Sequence, residues 1–178
     1  MFSFLRRARA NSQIVAATYA QIVAAARQPV FFSRFNAPDT PLGRFEMIAL
    51  HMILFLRRAS AGDATTRAIA QEVVDVFFTE VDHSIRELGV GDQGVPKRMK
   101  KLAKMFYGRA QSYGEALDAG DEEMLAAALA RNIAPDGAPL DANALARHAL
   151  AAASLLAATP DDALRQGRPE FPLYEVAT

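Results

Sequence analysis

Residues 47–56 read Met-Ile-Ala-Leu-His-Met-Ile-Leu-Phe-Leu, and every one except His51 is apolar. In a helix of 3.6 residues per turn this run has no polar side, so it needs neighbours on every side. It is far shorter than the roughly 20 apolar residues that a membrane-spanning helix requires. The run therefore predicts a buried central rod in a helical protein. Thr40 or Asp39 stands as a cap before it, Pro41 occupies the first helical position, and the helix is expected to run to about Ala59.

The rest of the chain supplies neighbours for that rod. Val15, Tyr19, Ile22 and Ala26 share one stripe, which predicts a helix from Asn11 or Ser12 to about Arg27. Pro29, Pro38 and Pro41 mark an ordered loop whose Phe31, Phe32 and Phe35 pack onto the core. Ile69, Val73, Phe77, Val81, Ile85 and Leu88 form the inner face of a helix over about 65–88, with Gly89 as its stop. Met99, Leu102, Phe106, Ala110, Tyr113 and Leu117 do the same for a helix over about 96–119. Asp121 and Asp141 cap two more, ending near Asn132 and before Pro160. No stretch alternates apolar and polar residues as a half-buried strand does. The expected class is all-α: a single compact domain of about six helices around a central buried one. Its expected bounds are a tail at 1–12, a helical domain at 13–160 and a second tail at 161–178, which either docks through Phe171, Leu173 and Tyr174 or is mobile.

Composition excludes several chemistries. The chain has no cysteine, which removes disulfides, thiolate metal sites and cysteine nucleophiles. Three histidines do not make a histidine-rich metal centre, and Glu80-x-x-His83 has no second such pair to form a di-iron bundle site. Gly89-Val90-Gly91-Asp92-Gln93-Gly94 matches the dinucleotide fingerprint in letters only, because a helix precedes it where a strand is required. No cofactor and no catalytic residue is expected. His51 reads as a core histidine bonded to a loop carbonyl, or else as a polar contact in a partner groove. Glu46 and His51, five positions apart, lie about 140° apart on a helix, so one of them, His51 by preference, is expected to serve an internal contact.

Charge supplies the main anomaly. Twenty basic residues balance twenty acidic ones, yet all four lysines fall between Lys97 and Lys104. With Arg98 and Arg109 they make six cations in thirteen residues, with no acid among them. Lys97, Lys100, Lys101 and Lys104 fall opposite the apolar stripe of their helix, so the cluster is either a solvated face or a local field for phosphate, anionic lipid or an acidic partner. Tyr107 is the one aromatic nearby, too little stacking surface to expect a specific nucleic-acid partner. At the N-terminus, Phe2, Phe4 and Leu5 precede Arg6, Arg7 and Arg9, the reverse of a secretory signal. They suit either a frayed end or a short anchor on an anionic membrane.

Two runs of residues carry a family resemblance. Pro38-Asp39-Thr40, Gly43-Arg44-Phe45-Glu46 and Leu50-His51 resemble the first signature of the ubiquinol–cytochrome c chaperone family. Asp82, Arg86-Glu87-Leu88-Gly89-Val90-Gly91-Asp92, Val95, Lys97, Met99-Lys100 and Phe106-Tyr107-Gly108-Arg109 resemble its second. Tyr113, Ala116-Leu117, Leu129 and Arg131-Asn132 continue it, so that the resemblance spans about residues 18–133. Where the family often has a second tyrosine in the first loop, this chain has Phe31-Phe32. The resemblance implies a non-enzymatic assembly factor for respiratory complex III that holds newly made cytochrome b or another subunit, near the ribosome and the membrane. Alanine and arginine usage suggests a bacterial member. The expected location is the cytoplasm, free or peripheral on the inner membrane. Expected partner-binding residues are Lys97, Arg98, Lys100, Lys101, Lys104, Arg109, Asp92, Arg44 and Glu46. Met47, Met52, Met99 and Met105 supply either soft apolar contacts or core filling; core filling is expected for all but Met105, which lies off the inner stripe. The competing reading is a peripheral helical module that binds anionic lipid.

Overall fold

The computed structural model describes the backbone of residues 2–174 and the side chains of residues 11–174. The chain is all-α, with helices α1 (Phe2–Ala26), α2 (Pro29–Ser33), α3 (Pro41–Ser60), α4 (Ala64–Glu87), α5 (Val95–Ala119), α6 (Glu122–Ile133), α7 (Ala142–Ala158) and α8 (Asp161–Leu164). The central rod is α3, which touches α1, α4, α5, α6 and α7. Its residues 45–55 are all buried. Burying each large side chain there contributes about 1.5–3 kcal/mol.

Capping residues set the boundaries. The Thr40 hydroxyl accepts from the Gly43 amide at 3.1 Å, and Pro41 opens α3. Asp63, Asp121 and Asp141 accept in the same way from Thr66, Met124 and Ala144 at 2.8, 2.8 and 2.9 Å. Each such cap is worth about 1 kcal/mol. Gly120 ends α5 at φ 63°, the left-handed conformation that favours glycine.

Three features depart from the sequence expectation. First, α1 begins at Phe2 rather than at Asn11 or Ser12. Residues 2–10 contain no glycine or proline to stop a helix, and Leu, Arg and Ala favour one. The anchor proposed for Phe2, Phe4, Leu5, Arg6, Arg7 and Arg9 lies outside the described side chains. Second, the first loop contains the single-turn α2, opened by Pro29 and held by the burial of Val30 and Phe31. Third, the segment after Pro160, expected as a tail that either docks or is mobile, contains the short α8. From Arg165 to Tyr174 it lies against the domain, while Leu173 is exposed.

That last segment closes the one gap around α3. Helices α1, α4, α5, α6 and α7 follow one another around the rod. Between α7 and α1 the wall is made by α2 and residues 165–174. Gly167 passes so close to α1 that an added Cβ would lie 3.0 Å from the Ile14 carbonyl oxygen. The Gln28 side-chain amide donates to the Pro172 carbonyl at 2.9 Å and accepts from the Tyr174 amide at 2.9 Å. Arg58 binds the Thr159 carbonyl at 2.8 Å and the Asp161 carboxylate at 2.5 Å, tying α8 to the end of α3.

A chain of three hydrogen bonds locks this segment to the core. His51 Nδ1 lies 2.8 Å from the Met47 carbonyl, so Nδ1 carries the hydrogen and donates. His51 Nε2 then accepts from His148 Nε2–H at 3.1 Å, and His148 Nδ1 accepts from the Tyr174 hydroxyl at 3.0 Å. The expected loop-carbonyl partner of His51 is therefore corrected: it bonds its own helix and α7. Phe31 and Phe171 lie against the His51 ring, at centroid distances of 5.5 Å each.

As arranged, His51 Nε2 and His148 Nδ1 each accept a hydrogen bond, so both imidazoles are neutral; the Met47 bond alone would survive protonation of His51. Burial pushes His51 down to about 4 and His148 to about 3, the latter also opposed by the nearby His51. Among the described residues, the charged side chain that bears on this group is Arg147, which acts on Tyr174. Since the folded values lie below the ordinary 6.5, the unfolded chain binds more protons, and stability falls as pH drops. The contribution is complete above about pH 6.5 and is lost progressively toward pH 4. Asp39, Asp63 and Asp161, held below the carboxylate value of 3.8, add their own loss only at lower pH. Thermal unfolding should show a Tm that is flat from pH 8 to 6.5 and falls from there to pH 4. The double variant His51→Leu, His148→Leu should flatten that fall; an unchanged slope in the double variant would contradict the assignment.

Candidate functional site

The inner face of α5 is set by Val95, Phe106, Tyr113 and Ala116, all buried. Their spacing turns Lys97, Lys100, Lys101 and Lys104 to the opposite side, and all four are exposed, as is Arg98. Among the described residues none of these five cations has a carboxylate partner. Seven arginines, by contrast, are held in ion pairs: Arg44, Arg57, Arg58, Arg86, Arg109, Arg147 and Arg165. The positive field over α5 is therefore not neutralised locally.

The basic face borders apolar surface. Tyr107 is 62% exposed and forms the lip of an open groove between α3, α4 and α5, floored by Leu56, Ala70, Val74 and Phe106. Met105 is half-buried, whereas Met47 and Met52 are inside the core. Gly108 lies on the exposed face in mid-helix, and an added Cβ would meet nothing within 4 Å. A glycine in such a position costs about 1 kcal/mol of helix stability relative to alanine.

Two residues expected at a partner surface are turned inward instead. Glu46 is 2% exposed and Arg109 8%. Arg109 Nε and Nη2 donate to the two Glu46 carboxylate oxygens at 2.5 and 2.6 Å, a bidentate pair joining α5 to α3. Further Arg109 donors reach the carbonyls of Met105 at 3.1 Å and Asn132 at 3.4 Å. Arg109 lies only about 40° from the inner stripe, not beside the lysines, which is why it is buried. Burial raises the Glu46 carboxyl above its ordinary value, with Arg109 pulling the other way. The expectation that only one of Glu46 and His51 would face inward also fails. A helix with neighbours all round has an interior on both sides, and each residue finds its own partner.

Arg44 and Asp92 are at the surface, each in an ion pair. Arg44 Nε binds Asp39 at 2.6 Å. Arg86 binds Asp82 at 2.6 Å and also reaches Asp92, fixing the turn from α4 to α5. The Gly89–Gly94 turn is a helix terminus, with Gly89 at φ 79° and its amide bonded back to Arg86. Gly43 has a steric reason: a Cβ there would stand 1.9 Å from the Pro38 carbonyl oxygen. The residues missed from the sequence are His148 and Gln28. His148 shares the buried stripe of Leu145, Ala149, Ala152 and Leu156, so a second polar residue on an apolar face was the available signal.

Because Glu46 is buried, losing its partner should be costly. Arg109→Met should lower unfolding free energy in urea by about 3–5 kcal/mol, and adding Glu46→Leu should recover most of it. A loss under about 1 kcal/mol for the single variant would show that the pair supports nothing.

The two signature runs meet in this architecture: Glu46 comes from the first and Arg109 from the second. The family model described as ubiquinol–cytochrome c chaperone matches residues 33–171. That match reaches further toward the C-terminus than the 18–133 read from the sequence, taking in α7 and Phe171, which complete the core. The chain also superposes on the crystal structure of the Cbp3 homolog from Brucella abortus with a TM-score of 0.88. The two are 52% identical, over 95% of this chain and 94% of that one. No curated protein matches the chain. With the family model covering most of its length and a solved relative covering nearly all of it, the chain belongs to the ubiquinol–cytochrome c chaperone family.

Proposed function

We propose that this protein is a non-enzymatic assembly chaperone for ubiquinol–cytochrome c reductase, and that it holds newly made cytochrome b through the basic face of α5. The observation that carries this reading is the division of polar residues. Glu46, Arg109, Asp82, Arg86, Asp92, Thr40, Asp39 and Arg44 are engaged within the scaffold. The cations Lys97, Arg98, Lys100, Lys101 and Lys104 are not, and they stand beside exposed Tyr107. A holdase needs a rigid scaffold and a free surface, and this chain separates the two. Among the described residues no helix is long and apolar enough to cross a membrane, so contact with a membrane-bound client or ribosome would be made from the bilayer surface.

Deleting the gene should lower assembled complex III and cytochrome b and leave other respiratory complexes intact; unchanged complex III would remove the reading. The surface has its own test. Exposed charges contribute about 0–1 kcal/mol each to stability. Replacing Lys97, Lys100, Lys101 and Lys104 by glutamate should therefore leave helix content and Tm nearly unchanged while abolishing cytochrome b pull-down. Pull-down by the parent should weaken as salt shortens the roughly 8 Å screening length. Full pull-down by the folded four-site variant would place binding elsewhere.

A further inference from the structure

Gly108 is the residue of the α5 face that the fold leaves unexplained. Three glycines lie within helices, at positions 43, 108 and 114. Gly43 is required by the Pro38 carbonyl, and a Cβ at Gly114 would stand 3.2 Å from an Arg57 nitrogen. Gly108 has open space, is exposed, and sits eleven residues from the end of α5. Alanine would fit there and would favour the helix.

Its position on the face is central. The outermost line of α5 runs Lys97, Lys101, Lys104, Gly108, Gln111, Glu115, opposite the buried stripe, and every member is exposed. The N-terminal half of that line is cationic and unpaired among the described residues. At its other end Gln111 donates to Glu115 at 3.2 Å. Tyr107 stands next to the gap that Gly108 leaves.

Resting on the reading that this face engages the client, we propose that its occupant is an α-helix of the client, crossing α5 at Gly108 with its carboxylates toward Lys97–Lys104. The distance between packed helices, about 8–10 Å, is set by the side chains at the crossing point, so a missing side chain there permits the closest approach. The unpaired lysines fix the sign of the partner's charge and place it on one side of the crossing. A bilayer surface or a polyanion responds to the lysines alone and gains nothing from a missing Cβ. A helix gains from both.

The test is a size series, Gly108→Ala and Gly108→Gln, in the full chain. It is read by Tm and by capture of cytochrome b made by cell-free translation from the same genome. Both variants should raise Tm, Gly108→Ala by about 2–4 °C. Capture should fall about five- to tenfold for alanine and further for glutamine. Stability and capture thus move in opposite directions, which loss of folding cannot imitate. Capture equal to the parent in both variants overturns the helix crossing. If the four-site lysine variant loses capture while the glycine variants keep it, the basic-face reading stands and only the crossing is wrong. If the parent sediments with phosphatidylcholine–phosphatidylglycerol vesicles and the glycine variants capture fully, the face belongs to a bilayer. A parent that captures no cytochrome b overturns the client reading and the crossing with it.

Discussion

A helix with no solvent-exposed side can exist only if other elements enclose it, and most of this architecture follows from that requirement on α3. Five helices surround it, and the remaining opening is filled by α2 and the segment up to Tyr174. The enclosure also dictates where polar groups are tolerated. Glu46 and His51 lie on opposite sides of α3, and each is buried. An unpaired polar group in such a place costs about 1–3 kcal/mol, more if charged. Arg109 answers the first and the Met47 carbonyl with His148 the second.

Those pairings explain why residues distant in sequence belong together. Glu46 and Arg109 are 63 positions apart, His51 and His148 are 97 apart, and Gln28 and Tyr174 are 146 apart. Each bond ties α3 or its immediate cover to a helix or strap formed much later in the chain. A buried ion pair is not a strong source of net stability compared with apolar residues of the same shape. Here it joins α5 to α3 on the side of α5 away from the lysines. The buried stripe of Val95, Phe106, Tyr113 and Ala116 is what turns the lysine face outward.

Much of this was legible in the sequence, for a definite reason. The apolar run of α3, the inner stripe of α5 and the aspartate caps are local signals, and helical period alone places them. The exposure of Lys97, Lys100, Lys101 and Lys104 followed from the same periodicity. What was not legible depends on long-range pairing. Arg109 lies by period near the inner stripe, but its partner Glu46, 63 positions away, is not given by any local signal. The segment up to Tyr174 reads as a tail that docks or moves, because Phe171 and Tyr174 carry no helical pattern; it docks by side-chain pairing, which needs none. The extension of α1 to Phe2 was hidden by the plausible caps at Asn11 and Ser12, which the surrounding helix formers override.

The central claim is a division of labour: buried polar pairs hold the scaffold, and the outward face of α5 is left for a partner. Hydrogen exchange of the chain, alone and in complex with cytochrome b, tests it most directly. The account predicts that amides of residues 45–55 in α3 exchange only through global unfolding in both states, and that complex formation adds protection along residues 97–112 of α5. Added protection on α1 and α4, with α5 unchanged, would contradict it.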